Sequence, residues 1–86
     1  MIREFQKEDR KTYLSLANEF YHSDAVLHPV PEKNLDDTFT EIIAGNPYVK
    51  GFFVEQDGKA VGYAILAFTY SCEAGGNVIW IEELYI

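Results

Sequence analysis

The sequence holds a single cysteine, Cys72, so no disulfide can form within the chain, and a lone thiol fits a reducing compartment. Long apolar runs are missing as well. The longest, around 60–68, is far too short to cross a bilayer, and the charged start Met1-Ile2-Arg3-Glu4-Phe5 lacks the apolar core of a signal peptide. Together these absences set the expectation of a cytoplasmic protein with no membrane partner. Basic residues are scarce: 7 Lys and Arg stand against 14 Asp and Glu, for a formal net charge of -7. No basic patch exists to displace counterions from phosphates, so nucleic acid is not an expected partner. An acidic surface suits a cationic substrate, and it equally serves solubility. Low-complexity runs and internal repeats are absent. What remains is the composition of one folded domain, 86 residues long and 48% hydrophobic with 15% aromatic.

Residues 2–5 form a short strand candidate. Over 7–22 the apolar residues Tyr13, Leu16, Ala17, Phe20 and Tyr21 recur at helical spacing, with Glu8 and Asp9 in the first turn, where the helix dipole favours negative charge. A loop begins at Ser23-Asp24 and runs through His28-Pro29-Val30-Pro31. Residues 33–44 then present Leu35, Phe39, Ile42 and Ile43 on one helical face, stopping at Gly45-Asn46-Pro47.

The rest reads as strand. Residues 49–55 lead into Asp57-Gly58, a hairpin turn signal, and 60–70 return antiparallel to them. Val61, Tyr63 and Ile65 fall on one side of that strand, Ala64, Leu66 and Phe68 on the other. Both faces are therefore expected to be covered, as in the central strand of a layered α/β (α+β) domain. A last strand spans 78–86 and ends in apolar strand residues.

Glu82 and Glu83 interrupt this last apolar strand. Strict alternation puts them on opposite faces. A buried carboxylate beside Trp80 or Tyr85 would have the environment of a general base; the alternative is an edge strand with one solvated and one lysine-paired glutamate. Tyr21 and Tyr70 are candidates to wall a substrate pocket, though the aromatic residues are core first. His22, Asp24 and His28 match no metal spacing template, and the loop holding Asp24 reads better as a polar lining of an acceptor cleft. Cys72 has no neighbouring histidine to activate it.

The order strand, helix, helix, long hairpin, then a strand reading Trp80-Ile81-Glu82-Glu83-Leu84-Tyr85-Ile86 resembles the first half of the Gcn5-related N-acetyltransferase (GNAT) superfamily. Val61-Gly62-Tyr63-Ala64 and Phe68-Thr69-Tyr70 bring the pattern nearest to its diamine acetyltransferases. The resemblance implies a mostly antiparallel sheet with two helices packed on it, in the order β1-α1-α2-β2-β3-β4 of an acyl-CoA N-acyltransferase. It implies acetyl transfer from acetyl-CoA as co-substrate to a small primary amine. Glu82 matches the glutamate that takes the amine proton, Glu83 an adjacent acidic position that holds a cationic substrate. The backbone of Leu84, Tyr85 and Ile86 matches the segment that binds the pantetheine arm.

The family's glycine-rich basic turn, which binds the pyrophosphate, has no counterpart here. Residues 1–86 are accordingly expected to be a single truncated N-acetyltransferase domain, inactive alone and self-associating, as a homodimer, through the last strand. The other function class open to such a chain is a small non-catalytic α/β module for binding or dimerisation.

Overall fold

The structure, a computed structural model, describes residues 1–23 and 30–86. Four strands, β1 (Ile2–Glu4), β2 (Val49–Gln56), β3 (Lys59–Ser71) and β4 (Gly76–Tyr85), form one sheet in the order β1-β2-β3-β4, each antiparallel to the next. Two helices, α1 (Arg10–Tyr21) and α2 (Glu32–Ile43), lie between β1 and β2 in the chain. The β2–β3 hairpin closes at Asp57 (φ 53°) and Gly58 (φ 77°), both left-handed, as a two-residue primed turn demands.

The first helix begins later than its apolar periodicity predicts. Lys7–Asp9 form a 3-10 turn instead, because the Asp9 carboxylate accepts the Gln6 N–H at 2.8 Å and both Arg3 guanidinium nitrogens at 2.7 and 3.1 Å. Arg3 also donates to Glu55 and lies over the Phe53 ring, so a single side chain joins β1, β2 and the start of α1. Arg10 plays a similar part between the helices, bonding to Asp36 and Thr40 above the Phe39 ring.

Both helices pack on one sheet face. Tyr13 and Ala17 of α1, Leu35 and Phe39 of α2, Phe53 of β2 and Tyr63 and Ile65 of β3 form the core with Phe5. Aromatic rings dominate it: Phe5 and Phe53 are 4.3 Å apart between centroids, and Tyr13 meets Tyr63 edge-on at 5.2 Å.

The sequence expectation that both faces of β3 are covered is met, among the described residues, on the helix side only. Tyr63 and Ile65 are buried, but Val61, expected beside them, is exposed at a bulge where it has no partner on β2, and Ala64, Leu66 and Phe68 are half-buried. Ile79, Ile81 and Leu84 of the same far face are exposed. No helix among the described residues is long and apolar enough to cross a membrane.

Candidate active site

The strand that carries the acidic pair is irregular. Ile65 stands opposite Glu83 and Leu66 opposite Ile81, which leaves Glu82 without a partner residue on β3. This is a one-residue β-bulge, and it replaces the strict alternation expected of the strand. Glu83 and Tyr85, opposite Ile65 and Tyr63, face the helices, while Glu82 is exposed at the bulge.

Glu83 is only 8% exposed. Its carboxylate accepts three tyrosine hydroxyls: Tyr13 at 3.1 Å and Tyr63 at 2.8 Å on Oε1, and Tyr21 at 2.9 Å on Oε2. Two elements deliver them. Tyr13 and Tyr21 are eight residues apart on α1 and so share its inner face. Tyr63 comes from the neighbouring strand, two pairing rows from Glu83 and on the same face. Phe20 and Tyr85 complete the aromatic surround, with ring centroids 5.8 Å apart.

The proton positions follow from the environment. Burial pushes the Tyr13, Tyr21 and Tyr63 phenols well above their ordinary value of 10.0, and the charge of Glu83 and its hydrogen bonds push them further. At neutral pH all three hydroxyls therefore keep their hydrogens and donate. A carboxylate offers about four acceptor sites. Two on Oε1 and one on Oε2 are filled, which leaves one on Oε2, beside Tyr21. Tyr21 is half-buried, whereas Tyr13 and Tyr63 have no exposure at all. Among the described residues no buried side-chain nitrogen or oxygen lacks a partner.

Of the residues singled out in the sequence, the structure brings Glu83 and Tyr21 into direct contact and places Glu82 close by. The Glu82 charge is one of the influences that raise the Tyr21 phenol. Leu84, Tyr85 and Ile86 follow at the end of β4, the last strand of the sheet, so among the described residues one side of their backbone has no strand partner. Here β4 passes so close over β3 that a Cβ on Gly62 would strike the Tyr85 carbonyl oxygen and meet the Ile86 Cα at 2.9 Å. Only glycine admits that approach.

Tyr70 is elsewhere. It pairs with Asn77 near the far end of the β3–β4 ladder and, with Pro47, Tyr48 and Phe68, lines a shallow cleft of about 250 Å³. Asp24 and His28 lie outside the described residues, and the His22 ring is 2.7 Å from the Asn18 carbonyl oxygen. Sequence reasoning missed Tyr13 and Tyr63. Helical periodicity places Tyr13 in the core, and strand periodicity and the family resemblance include Tyr63, but neither gives the hydroxyl a role. The available signal was tyrosine rather than phenylalanine at core positions, since a buried hydroxyl requires an acceptor.

No protein-family model and no curated protein matches the chain. Solved structures do. An integron cassette protein from the mobile metagenome of Cole Harbour Salt Marsh superposes with a TM-score of 0.84 at 19% identity, over 99% of this chain and 55% of that one. A possible acetyltransferase from Clostridium difficile 630 gives a TM-score of 0.78 at 18% identity, over 100% and 56%. The enzyme AAC(6')-Iy, in complex with the bisubstrate analogue CoA-S-monomethyl-acetylneamine, gives 0.77 at 18% identity, again over 100% and 56%. The chain has the fold of the N-terminal half of a GNAT acyl-CoA N-acyltransferase. It spans about half the length of these structures. Within this half-fold, the carboxylate cage and the bulge lie together at the end of β4.

Proposed function

We propose that the chain builds the acceptor-amine side of an N-acetyltransferase site, for transfer of acetyl from acetyl-CoA to a small primary amine. The observation that carries this reading is the Glu83 carboxylate, fixed by three hydroxyls with one acceptor site left on Oε2 and a second carboxylate, Glu82, beside it. Glu83 holds the substrate ammonium. Glu82, at the bulge and with no hydrogen-bond or ion-pair partner among the described residues, takes the proton that the amine sheds, directly or through water. Two neighbouring carboxylates and a net charge of -7 favour an acceptor carrying a further positive charge, such as a diamine.

Acetyl-CoA supplies the activated acyl group. The residues present fit it at one place: the free backbone edge at Leu84, Tyr85 and Ile86 can pair with the amides of a pantetheine arm as one strand pairs with another. The exposed, unpaired thiol of Cys72 is in keeping with a cytoplasmic setting.

The test is a titration of the ¹⁵N-labelled chain with acetyl-CoA. The amide signals of Leu84, Tyr85 and Ile86 are expected to move, together with that of Gly62 beneath them. Perturbation confined to other parts of the chain, or none, would overturn the placement of the acyl donor.

A second reading has its own observation. The apolar far face, with Ile79, Ile81 and Leu84 exposed next to an unpaired strand edge, favours self-association through β4.

A further inference from the structure

Glu83 is more constrained than a carboxylate on an open surface. Both acceptor sites of Oε1 are taken by hydroxyls of tyrosines with no solvent exposure, each pinned in the core by neighbouring rings. Oε2 has one hydroxyl, from half-buried Tyr21, and the adjoining surface carries Glu82. Among the described residues, the acceptor direction left open is on Oε2, beside Tyr21, and it is a single one.

This arrangement distinguishes two kinds of cation. An ammonium is a compact point charge that needs one good acceptor at a time, whereas a guanidinium binds carboxylates best as a fork, with parallel N–H bonds to both oxygens. Resting on the amine reading above, we infer that Glu83 engages its ligand through Oε2 only and so selects compact primary ammonium groups over guanidinium groups. The tyrosines at Oε1 act as a blocking element: they hold the carboxylate in place and close the second oxygen that the fork requires. Tyr21 stands at the open side and shares Oε2 with the incoming N–H. The aromatic faces of Phe20 and Tyr85 nearby suit a cation with a short alkyl stem.

The experiment uses the chain labelled with ¹³C at the glutamate side-chain carboxyl carbons, titrated separately with n-propylammonium and n-propylguanidinium chloride in the absence of any acyl donor. The Glu83 signal is assigned through Glu83→Gln, and the ordered state of each variant is checked by its amide spectrum. Propylammonium is expected to shift the Glu83 signal and to bind on the order of tenfold more tightly than propylguanidinium. Equal affinities, a preference for guanidinium, or no movement of the Glu83 signal with propylammonium would each overturn the inference. Tyr21→Phe gives an independent check that does not rely on Glu83→Gln folding. It removes one competitor for Oε2 and leaves Oε1 closed, so ammonium affinity should rise and the order of the two cations should hold. A switch to guanidinium in that variant would show that Tyr21 alone, and not the closed Oε1, set the preference. Because no acetyl-CoA is present, failure here is separable from failure of the proposed acyl transfer, which the amide titration at Leu84–Ile86 tests.

Discussion

The Tyr63 hydroxyl lies 2.8 Å from Oε1 of Glu83, so a core ring on one strand satisfies the buried carboxylate of the next. Tyr63→Phe should cost about 1.5–3 kcal/mol of folding stability, the usual worth of a hydrogen bond to a charged group. Glu83→Leu should cost more than this, because it strands the Tyr13 and Tyr63 hydroxyls in an apolar core at about 1–3 kcal/mol each. Urea unfolding of the three chains measures the order, and Glu83→Leu more stable than Tyr63→Phe would contradict it.

Alkaline pH should unfold the chain through the same cluster. Tyr13 and Tyr63 have folded pKa values raised above the unfolded value of 10.0, chiefly by burial. Their contribution is therefore fully present below pH 10 and declines as pH rises, because the unfolded chain gives up protons that the folded chain keeps. Each can lower stability by up to about 1.4 kcal/mol per pH unit in that range. Tyrosinate absorbance followed against pH should show these two phenols ionising together with loss of the fold. Ionisation of both in a chain whose amide spectrum is still native would count against the buried cluster.

Acid acts through a different pair, at the start of α1. The Arg3 guanidinium, through its hydrogen bond, lowers the Asp9 carboxyl below its ordinary value of 3.8. That stabilisation is present above pH 4 and is lost as pH falls through the lower, folded value. Asp9→Asn should be less stable than the parent at neutral pH, with the gap closing in stronger acid. Thermal melts at a series of pH values read this directly.

Under the proposed function, catalysis is expected to separate the two glutamates. In a complete protein carrying these residues, Glu82→Gln is expected to slow acetylation on the order of a hundredfold near neutral pH, the scale of a positioned base. The deficit should shrink at alkaline pH, where more of the free amine is already deprotonated. Glu83→Gln should instead raise KM for the amine. If the two effects were exchanged, the roles assigned at the bulge would be reversed.

Self-association through β4 is measured by sedimentation. Ile81→Lys places a charge on the exposed far face next to the strand edge and should shift the chain toward monomer. A parent chain that is monomeric at high concentration would remove the second reading.

The sheet order was legible in the sequence because each strand announces itself locally: the Asp57-Gly58 turn fixes the β2–β3 hairpin, and the spacing of Leu35 and Phe39 fixes the inner face of α2. The site was legible only in part. Glu83 and Tyr21 could be singled out by chemistry, but their meeting depends on a bulge set by pairing between β3 and β4, and no local signal encodes it. Tyr13 and Tyr63 followed core periodicity, which is blind to a hydroxyl. Tyr70 looked equivalent to Tyr21 as an aromatic near the acidic strand, yet its position opposite Asn77 sends it to the far end of the ladder.

The unpaired residue at Glu82 has a consequence for how this strand can change. The bulge is what lets Ile81 and Glu83, two residues apart, face opposite sides of the sheet; removing Glu82 would leave both 76–81 and 83–85 opposite the same β3 residues and close the ladder into regular alternation. Substitutions at any single position leave that phase relationship untouched, so a scan of point variants would map the side chains of the site and still miss the offset that brings them together. An insertion or deletion series along β4 would expose it, with deletion of Glu82 keeping both flanking segments in register.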